Sequence, residues 1–537
     1  MDNTASNLII EEFKIKVPQL TVGEDTLGGV TGENAAFGGP TVDFGVIKNI
    51  GTGGYMNHGD GWEVVNLYFY ENLLSPFITG YVNIVSTSDA VVSQFDKQER
   101  KVSLSANVDV GQQILMKVRS RIGTSIDFSS EDDEHRQLHI VGKQIIQRNS
   151  QKETIQLKFT SQIGYLESTK TLGKSYKGTI SQSVENILKN EFKLSPEQYE
   201  VDATKSTYEF NGQQEKPFDW FLLLAKQSIP AKSGSGEGRA NPGYLVYQTK
   251  NKFKFKSIDG LIKQDPYSQI YSYNGAQTLN QEDNDYKISS LTVYKDQDLI
   301  EQIDSGVYGS KTFFFNPASY QFKEIDISVD GRELVSDKDF NTLGPTIGVP
   351  KPVSVELENG KKYHKIYTSI LDVEEVGNEA KTNNSPELYH AAGAARYNIL
   401  FSQKYGITVP CNTDLEAGMA INLELENISY CSKEMGPDEK NSGTYIIQSL
   451  CHYLDSTKAV TSLEVIRDSY GLSFQRDESG DDSGRLLKDG KGLIGKPSEV
   501  RGSSTLNDAI ELGGPGDFVD EWAKEMNDSG SSNYFIP

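Results

Sequence analysis

The side chains that most often do chemistry in proteins are few and widely spaced in this sequence. Six histidines and three cysteines occur among 537 residues. The histidines are His58, His135, His139, His364, His390 and His452. The cysteines Cys411, Cys431 and Cys451 follow one another at 20-residue intervals, with His452 nearby. This spacing matches no zinc pattern, and so few cysteines exclude a disulfide scaffold. We therefore predict buried free thiols.

Other patterns that could hold an ion or a phosphate are not specific. The acidic run 131–134 lies beside His135 and His139, where a metal site is conceivable and a solvated turn is favoured. The glycine-rich segments 51–54 and 490–497 resemble phosphate-binding loops, but neither has the strand, helix and hydroxyl that such a loop requires. Catalytic carboxylates cannot be singled out among 75 acidic residues. We predict no catalytic, cofactor-binding or metal-binding residue, no cofactor and no enzymatic activity.

Charge and hydropathy argue against several classes of protein. The chain has 75 Asp and Glu against 53 Lys and Arg, a net charge of −22. A protein that clamps nucleic acid needs a net basic surface, so this class is disfavoured. No apolar run approaches the roughly 20 residues of a membrane helix. The first residues lack the basic and then apolar pattern of a secretory signal, so we expect neither a membrane span nor a leader.

Strands are the main elements that would position any functional residue. The 27 Tyr, 23 Phe and 49 Gly, with many short alternating runs, favour pleated and half-buried surfaces joined by turns. The alternation predicts strands at 103–108, 113–118, 138–148, 153–160, 407–410, 419–425, 443–453 and 460–467. Helical spacing predicts helices at 181–192, from Pro217 onward, and roughly at 386–404. The predicted fold class is mainly β with α+β insertions.

Two parts of the chain repeat the same order of patterns. Residues 103–118 read as a strand, Asn-Val-Asp-Val-Gly and a strand, and residues 409–425 read as a strand, Asn-Thr-Asp-Leu-Glu-Ala-Gly and a strand. A long hairpin follows each, at 138–161 and 445–468. Chance similarity between β-hairpins is the alternative interpretation. If the repeat is real, one chain carries two copies of one β-barrel, and three chains would present six to a six-fold partner.

Four groups of motifs resemble a known family in their order along the chain. They are Tyr-Glu-Asn-Leu-Leu-Ser-Pro-Phe-Ile-Thr-Gly at 70–80; Lys-Pro-Phe-Asp-Trp at 216–220 with 224–227 and Gly-Tyr-Leu-Val-Tyr at 243–247; Ala-Arg-Tyr-Asn at 395–398 with 407–410 and 415–418; and 442–447 with His452, Thr461, Arg467 and Asp468. Together they resemble the baseplate hub protein of contractile-tailed bacteriophages, which is related to the upper part of the type VI secretion hub-spike. The resemblance covers roughly residues 8–472.

The resemblance implies a fold with two tube-like antiparallel β-barrels per chain and smaller α+β modules. The implied domains are 1–167, barrel 1 with a Gly-rich loop at 23–61; 168–285, an α+β middle module; 286–319 and 392–472, barrel 2; 320–391, an inserted α+β module; and 473–537, a flexible C-terminal extension.

The resemblance also implies a role in the virion. The chain would form a homotrimeric ring in the tail baseplate, assembled in the host cytoplasm, that adapts the six-fold tail tube to the three-fold central spike. Expected partners are the central spike protein, the tail tube or tube-initiator protein and other baseplate proteins, with no membrane. Genome DNA would pass through the lumen without specific binding, which suits an acidic chain. Only about 65 residues follow Gly471, without spike-like repeats, so the spike is expected to be a separate chain.

Two other classes remain open at the level of sequence. A tail-associated cell-wall polysaccharide hydrolase would show activity in a zymogram and lose it on mutation of one carboxylate. A receptor-binding or glycan-binding β protein would bind cells as an isolated protein. Neither class explains a doubled barrel together with a helical module.

Overall fold

The computed structural model describes most of the chain between residues 61 and 471. With gaps of one to three residues inside them, the described stretches are 61–231, 241–273, 284–328, 386–426 and 437–471. Shorter described pieces are 9–16, 46–47, 55–57, 342–344 and 365–370. The extension 473–537 and most of the Gly-rich loop 23–61 lie outside the described residues.

Strands dominate the described residues, as the sequence predicts. The first strands are β1 (Ile9–Lys16), β2 (Val46–Ile47), β3 (Tyr55–Asn57), β4 (Trp62–Asn72), β5 (Thr79–Thr87), β6 (Val91–Phe95), β7 (Gln98–Val102), β8 (Gln113–Arg119), β9 (Ile126–Phe128), β10 (Leu138–Arg148), β11 (Lys152–Ser161), β12 (Ser175–Tyr176), β13 (Tyr199–Val201) and β14 (Phe210–Asn211). The later strands are β15 (Tyr244–Gln248), β16 (Phe253–Ser257), β17 (Ile270–Tyr273), β18 (Ser290–Lys295), β19 (Gly309–Asn316), β20 (Gln321–Ser328), β21 (Lys365–Ile370), β22 (Gln403–Pro410), β23 (Ala420–Leu425), β24 (Gly443–Asp455) and β25 (Ala459–Arg467).

The helices begin where the sequence supplies start signals. Those in the described residues are α1 (Gln162–Glu167), α2 (Ile180–Asn190), α3 (Pro217–Gln227), α4 (Ile258–Lys263), α5 (Leu299–Asp304) and α6 (Pro386–Leu400). The Thr179 hydroxyl accepts from the amide of Gln182, whose side chain accepts from the Thr179 amide, and this capping box starts α2. Pro217 starts α3 at a position where its missing amide hydrogen costs nothing. No helix in these residues is long and apolar enough to span a membrane.

Two sequence predictions are wrong in detail. The strand predicted at 103–108 is a short 3₁₀ turn at Leu104–Ala106, because Glu153 accepts both the amide and the hydroxyl hydrogen of Ser105 and holds this segment across the sheet. The helix predicted to reach residue 404 ends at Leu400, because Gln403 already pairs with Arg467 as the first residue of β22.

Two six-stranded arrays with the same strand order form the main sheet. The first array is β1-β8-β10-β11-β5-β4, and the second array is β17-β23-β24-β25-β22-β18. Neighbouring strands are antiparallel in both arrays, with one difference: β17 runs parallel to β23, whereas β1 runs antiparallel to β8. Strand β17 belongs to the second array by this pairing, although it lies within the range 168–285 that the resemblance gives to the middle module.

Matching hydrogen bonds at the same turn confirm the internal repeat. In the first array the Gly111 amide donates to Ile140 O at 2.7 Å, and the Ile140 amide donates to Gln112 O at 2.9 Å. In the second array the Gly418 amide donates to Ile447 O at 2.8 Å, and the Ile447 amide donates to Met419 O at 2.9 Å. Gly111 and Gly418 both have positive φ, 93° and 80°, which glycine adopts without strain.

A bulge at the same place in each hairpin supports the same correspondence. The pairing of β10 with β11 skips Val141, and the pairing of β24 with β25 skips Gln448. Each skipped residue directly follows the isoleucine of the turn. Because bulges re-aim the strand that carries them, β10 and β24 bend at the same place; β10 has a second bulge, at Ile146, that β24 lacks.

Each array has its own apolar core, and the helical module has a third. The first array buries Phe69, Ile114 and Phe159 among other side chains, and the second buries Tyr271, Ile421 and Val465. Helices α2 and α3 pack with β15 and β16 around Phe221 and Phe255. The arrays and the helical module meet at the joint between β4 and β24, where side chains from all three become buried.

Candidate functional site

The joint between the two arrays is an antiparallel ladder of β4 and β24. It runs from Ser449 opposite Asn72 to Asp455 opposite Asn66. The edge of β24 that faces β4 also pairs with β23, near the start of β24. The first part of β24 therefore belongs to its own array, and the later part forms the joint. The ladder makes the two arrays one continuous sheet and fixes their relative position.

Tyrosines cover one face of this joint. Tyr68 stacks on Tyr81 with 4.2 Å between ring centroids and packs on Tyr453 at 4.7 Å. Tyr70 and Cys451 complete the cluster, and all their side chains are mostly buried. Burial raises the pKa of Tyr70 and of the Cys451 thiol, which stays protonated at neutral pH. Packing of these aromatic rings against one another resists sliding of one array past the other.

Two of the three cysteines are apolar core residues. Cys411 and Cys451 are buried free thiols, as predicted, and Cys431 lies outside the described residues. His139 is buried and stacks on Tyr165 at 4.5 Å, and His135 belongs to a short turn capped by Asp133. No group of three or more potential metal ligands is present within the described parts of the chain.

Glu71 is the polar centre of the joint. This carboxylate is 1% exposed; its Oε1 accepts from the Lys250 amide at 2.7 Å, and its Oε2 accepts from the Ala417 amide at 3.0 Å. Glu71 belongs to the first array, Lys250 to the turn between β15 and β16, and Ala417 to the turn before β23. Burial, with the charge of Glu416 second, raises the pKa of Glu71. One side chain therefore ties three parts of the fold together.

Lysines of the β15–β16 hairpin balance this buried charge. Lys250 is buried, and its Nζ donates to the carbonyl oxygens of Thr413 and Leu415 in the second array. Lys254 Nζ lies 3.0 Å from Glu416 Oε2. Burial alone would raise the pKa of Glu416, but Lys254 and Lys250 hold it below its usual value.

A second buried ionic cluster lies around Arg396 of α6. Arg396 is 2% exposed, and its guanidinium lies 3.1 Å from Asp259 Oδ1 and 3.7 Å from Asp468 Oδ2. Asp259 is in α4 and Asp468 directly follows β25, so the cluster joins the helical elements to the second array. Asp468 Oδ1 also accepts from the Leu343 amide at 2.9 Å. A planar, permanently charged guanidinium suits this two-sided contact.

His452 lies fully buried in β24, opposite Phe69 of the joint. Its Nδ1 is 2.9 Å from Thr461 Oγ1 in the adjacent strand. Burial, with the charge of Lys250 second, lowers the pKa of His452 to about 3. The imidazole is therefore neutral in the folded protein throughout the physiological range.

The buried His452 predicts a specific loss of stability in acid. Below about pH 6.5 an unfolded histidine takes up a proton that the folded chain does not accept until about pH 3. Stability is thus lost as the pH falls, by about 1.4 kcal/mol per unit. We expect the native chain to lose about 2–3 kcal/mol more than the His452→Gln variant between pH 6.5 and 4.5. Urea unfolding at several pH values measures this difference, and equal pH slopes would contradict it.

The segments that carry the family resemblance lie at these contacts. Glu71, Ala417 and His452 come from three of the motifs, and Arg396 and Asp468 come from the same set. The sequence did not single out Lys250 or Asp259, which are separated from their partners by 179 and 137 residues. Neither residue lies in a motif, so the only usable signal would have been a charged residue beside an otherwise apolar strand or helix.

Comparisons with solved structures find matches of low identity to two tail proteins and to a component of a type VI secretion system. The chain is similar to the 43 kDa tail protein of prophage MuSo2 from Shewanella oneidensis, with 11% identity and a TM-score of 0.42 over 79% of this chain and 98% of that one. A tail protein from Neisseria meningitidis has 7% identity and a TM-score of 0.41, over 79% and 96% of the two chains. An Escherichia coli component of the type VI secretion system has 9% identity and a TM-score of 0.35, over 76% and 75%.

No protein-family model matches the sequence, and no curated protein matches it either.

Proposed function

We propose that this chain is a structural protein of a phage tail baseplate. Three copies form a hub ring that adapts the six-fold tail tube to the three-fold central spike and encloses the DNA channel. The observation that carries the proposal is the repeat: two arrays with the same strand order, turn and bulge, held by one ladder. Six similar arrays from three chains match a six-fold partner, whereas a single array per chain would not.

The buried joint suits a structural role. The polar groups of Glu71, Lys250 and Arg396 are turned inward to other parts of the same chain, and they hold the arrays in one geometry. Buried ionic groups add little net stability, but their demand for matched partners disfavours alternative arrangements. A ring that transmits force between tube and spike needs such fixed geometry. On this proposal the chain catalyses nothing, and its function lies in its interfaces.

The remaining partners follow from the same proposal. The ring binds the tail tube or a tube-initiator protein on one side and the spike on the other, and other baseplate proteins surround it. It is located in the virion after assembly in the host cytoplasm. The net charge of −22 favours a channel through which DNA slides without binding. The domain boundaries expected from the resemblance remain part of this proposal.

Measurement of the mass in solution tests the proposed ring. We expect light scattering on the full chain to give three times the chain mass of 59.5 kDa. A heterologous contact between unlike surfaces closes into a ring of fixed copy number, so the mass should not grow with concentration once the ring is complete. A chain that stays monomeric or dimeric at high micromolar concentration would contradict the proposal. A zymogram with cleared peptidoglycan would favour a hydrolase instead.

A further inference from the structure

The small sheet β20-β19-β21 has one packed face and one exposed face. On the packed face Phe314 of β19 is fully buried, with its ring centroid 6.5 Å from that of His390 in α6, and Tyr367 of β21 lies 6.4 Å from the same imidazole. Successive side chains of a strand point to opposite faces, so Phe313 and Phe315 lie on the other side of the sheet. An antiparallel sheet with one covered face usually has polar residues on the other.

The exposed face carries an apolar row instead. Phe322, Phe315 and Ile370 lie opposite one another in β20, β19 and β21. Phe322 is 72% and Ile370 is 67% exposed, and Ile366, on the same face of β21, is 54% exposed. The rings of Phe315 and Phe322 are 4.9 Å apart. Adjacent apolar side chains with this much exposure mark a surface that another apolar surface covers.

The last described residues of the chain lie beside the segment that leads into this sheet. The Tyr470 hydroxyl donates to Asp296 O at 3.3 Å, between β18 and α5. Tyr308 directly precedes β19, and burial, with the nearby Tyr470 second, raises its pKa to about 12. The C-terminal extension therefore starts close to the start of β19.

The extension contains a stretch with the pattern of an amphipathic helix. Helical spacing places Phe518, Val519 and Trp522 on one side of residues 517–526. Asp520 and Glu521 fall on the opposite side. A short helix of this kind is stable only when its apolar side is covered, so it needs an apolar surface elsewhere.

The connection between Gly471 and this stretch is long enough to reach the exposed face. Residues 472–516 are rich in Gly, Ser and Asp, and a linker of this length and composition spans on average roughly 35–40 Å. Strand β19 has eight residues, so it is about 26 Å long. A tether of this kind gives an effective concentration of about millimolar, so even a weak contact would be occupied.

We propose that residues 517–526 pack as a helix across the exposed face of the β20-β19-β21 sheet in the same copy of the chain, with Phe518 and Trp522 against its apolar row. Aromatic side chains bury about 150–250 Å² each, so these two rings suffice to cover the row. The acidic side of the helix remains in water. The sheet then has α6 on one face and the C-terminal helix on the other. This contact goes beyond the proposed ring and does not depend on it.

The tryptophans of the chain provide a direct test. Trp62 and Trp220 are 2% and 7% exposed, so quenching by acrylamide reports mainly on the third tryptophan, Trp522. We expect weak quenching in the native full chain. Phe322→Lys and Ile370→Lys should each raise the quenching constant several-fold, because a docked helix would bury the new ammonium group. Both replaced side chains are about two-thirds exposed or more, so neither change threatens the fold.

Two further variants are the controls for this measurement. Val110→Lys changes a residue of the first array that is 59% exposed and should leave the quenching constant at its native value. Trp522→Phe removes the reporter and gives the signal of the two buried tryptophans. It keeps an aromatic ring in the helix, so it should leave the contact itself in place.

Hydrogen exchange gives a second measurement that does not depend on tryptophan. The amides of residues 517–526 should exchange slowly in the native full chain and in Trp522→Phe, because a docked helix protects its own hydrogen bonds. In Phe322→Lys and Ile370→Lys the same amides should exchange several-fold faster. Val110→Lys should match the native chain.

Each outcome decides for or against the contact. A native chain in which Trp522 is quenched as readily as in Phe322→Lys would overturn the inference. A shielded Trp522 that neither face variant exposes would also overturn it, because the helix would then lie elsewhere. Shielding that rises with chain concentration would assign the cover to a second copy and reject the contact within one copy. Shielding that is independent of concentration and lost in both face variants, but not in Val110→Lys, would support it.

Discussion

Replacement of Arg396 by methionine lowers the free energy of unfolding by about 3–5 kcal/mol, the loss expected when one partner of a buried ion pair is removed. The change leaves Asp259 and Asp468 buried without the guanidinium that lies between them. Methionine keeps much of the apolar volume, so the loss reports the uncompensated charge more than a cavity. Urea unfolding measures the effect from the transition midpoint.

A surface lysine provides the control for this variant. Lys117 lies near Glu11 and Asp127 but is one-third exposed. Pairs of this kind contribute about 0–1 kcal/mol, so Lys117→Met should be nearly neutral. If Arg396→Met and Lys117→Met cost the same, the buried cluster does not hold α4, α6 and β25 together.

The Glu71→Ala variant is expected to lose about 2–5 kcal/mol, because the buried amides of Lys250 and Ala417 both lose their acceptor. These amides belong to different parts of the fold, so the unfolding transitions of these parts should lie further apart in the variant than in the native chain. Circular dichroism and tryptophan fluorescence, followed through the same urea titration, would detect the separation.

Two variants on the same strand calibrate the Glu71 result. Glu71→Gln keeps one carbonyl acceptor and should lose about half as much as the alanine variant, since each unsatisfied amide costs about 1–3 kcal/mol. Glu63→Ala changes an exposed glutamate of β4 and should be within about 0.5 kcal/mol of the native chain. A Glu71→Ala variant as stable as Glu63→Ala would show that the joint does not depend on the buried carboxylate.

Local patterns predicted the long hairpins well. The predicted strand 138–148 matches β10 at both ends, and 153–160 falls one residue short of β11 at each end. The start of α3 at Pro217 is also as predicted. These elements are long, strongly patterned and bounded by turn or helix-start residues, so neighbouring residues alone determine them.

The contacts that organise the joint could not be predicted in the same way. The β4–β24 ladder joins residues separated by almost four hundred positions, and nothing in either strand specifies the other. Strand β17 pairs parallel with β23 across about 150 positions, which is also non-local. Ser103–Val108 has an alternating pattern, yet part of it forms a turn because Ser105 bonds to Glu153. Tertiary contacts, and not local propensity, determine the conformation and pairing of these segments.

The repeat is the part of the site that sequence patterns did reveal. The two Asn-x-Asp segments that end in Gly111 and Gly418 mark the same turn, because each glycine adopts positive φ and bonds to the hairpin that follows. The sequence could not show that one hairpin edge is covered by β4 and the other is exposed. That difference depends on which strand lies beside each hairpin in space.

Imaging of the assembled protein along its ring axis is the most direct measurement of the central claim, that each chain supplies two equivalent units to one ring. Electron cryomicroscopy of the full chain should show six β units at one radius, alternately the first and second array, with the two arrays of each chain joined by the β4–β24 ladder. A ring whose first and second arrays lie at different radii, or an assembly without three-fold symmetry, would contradict the account.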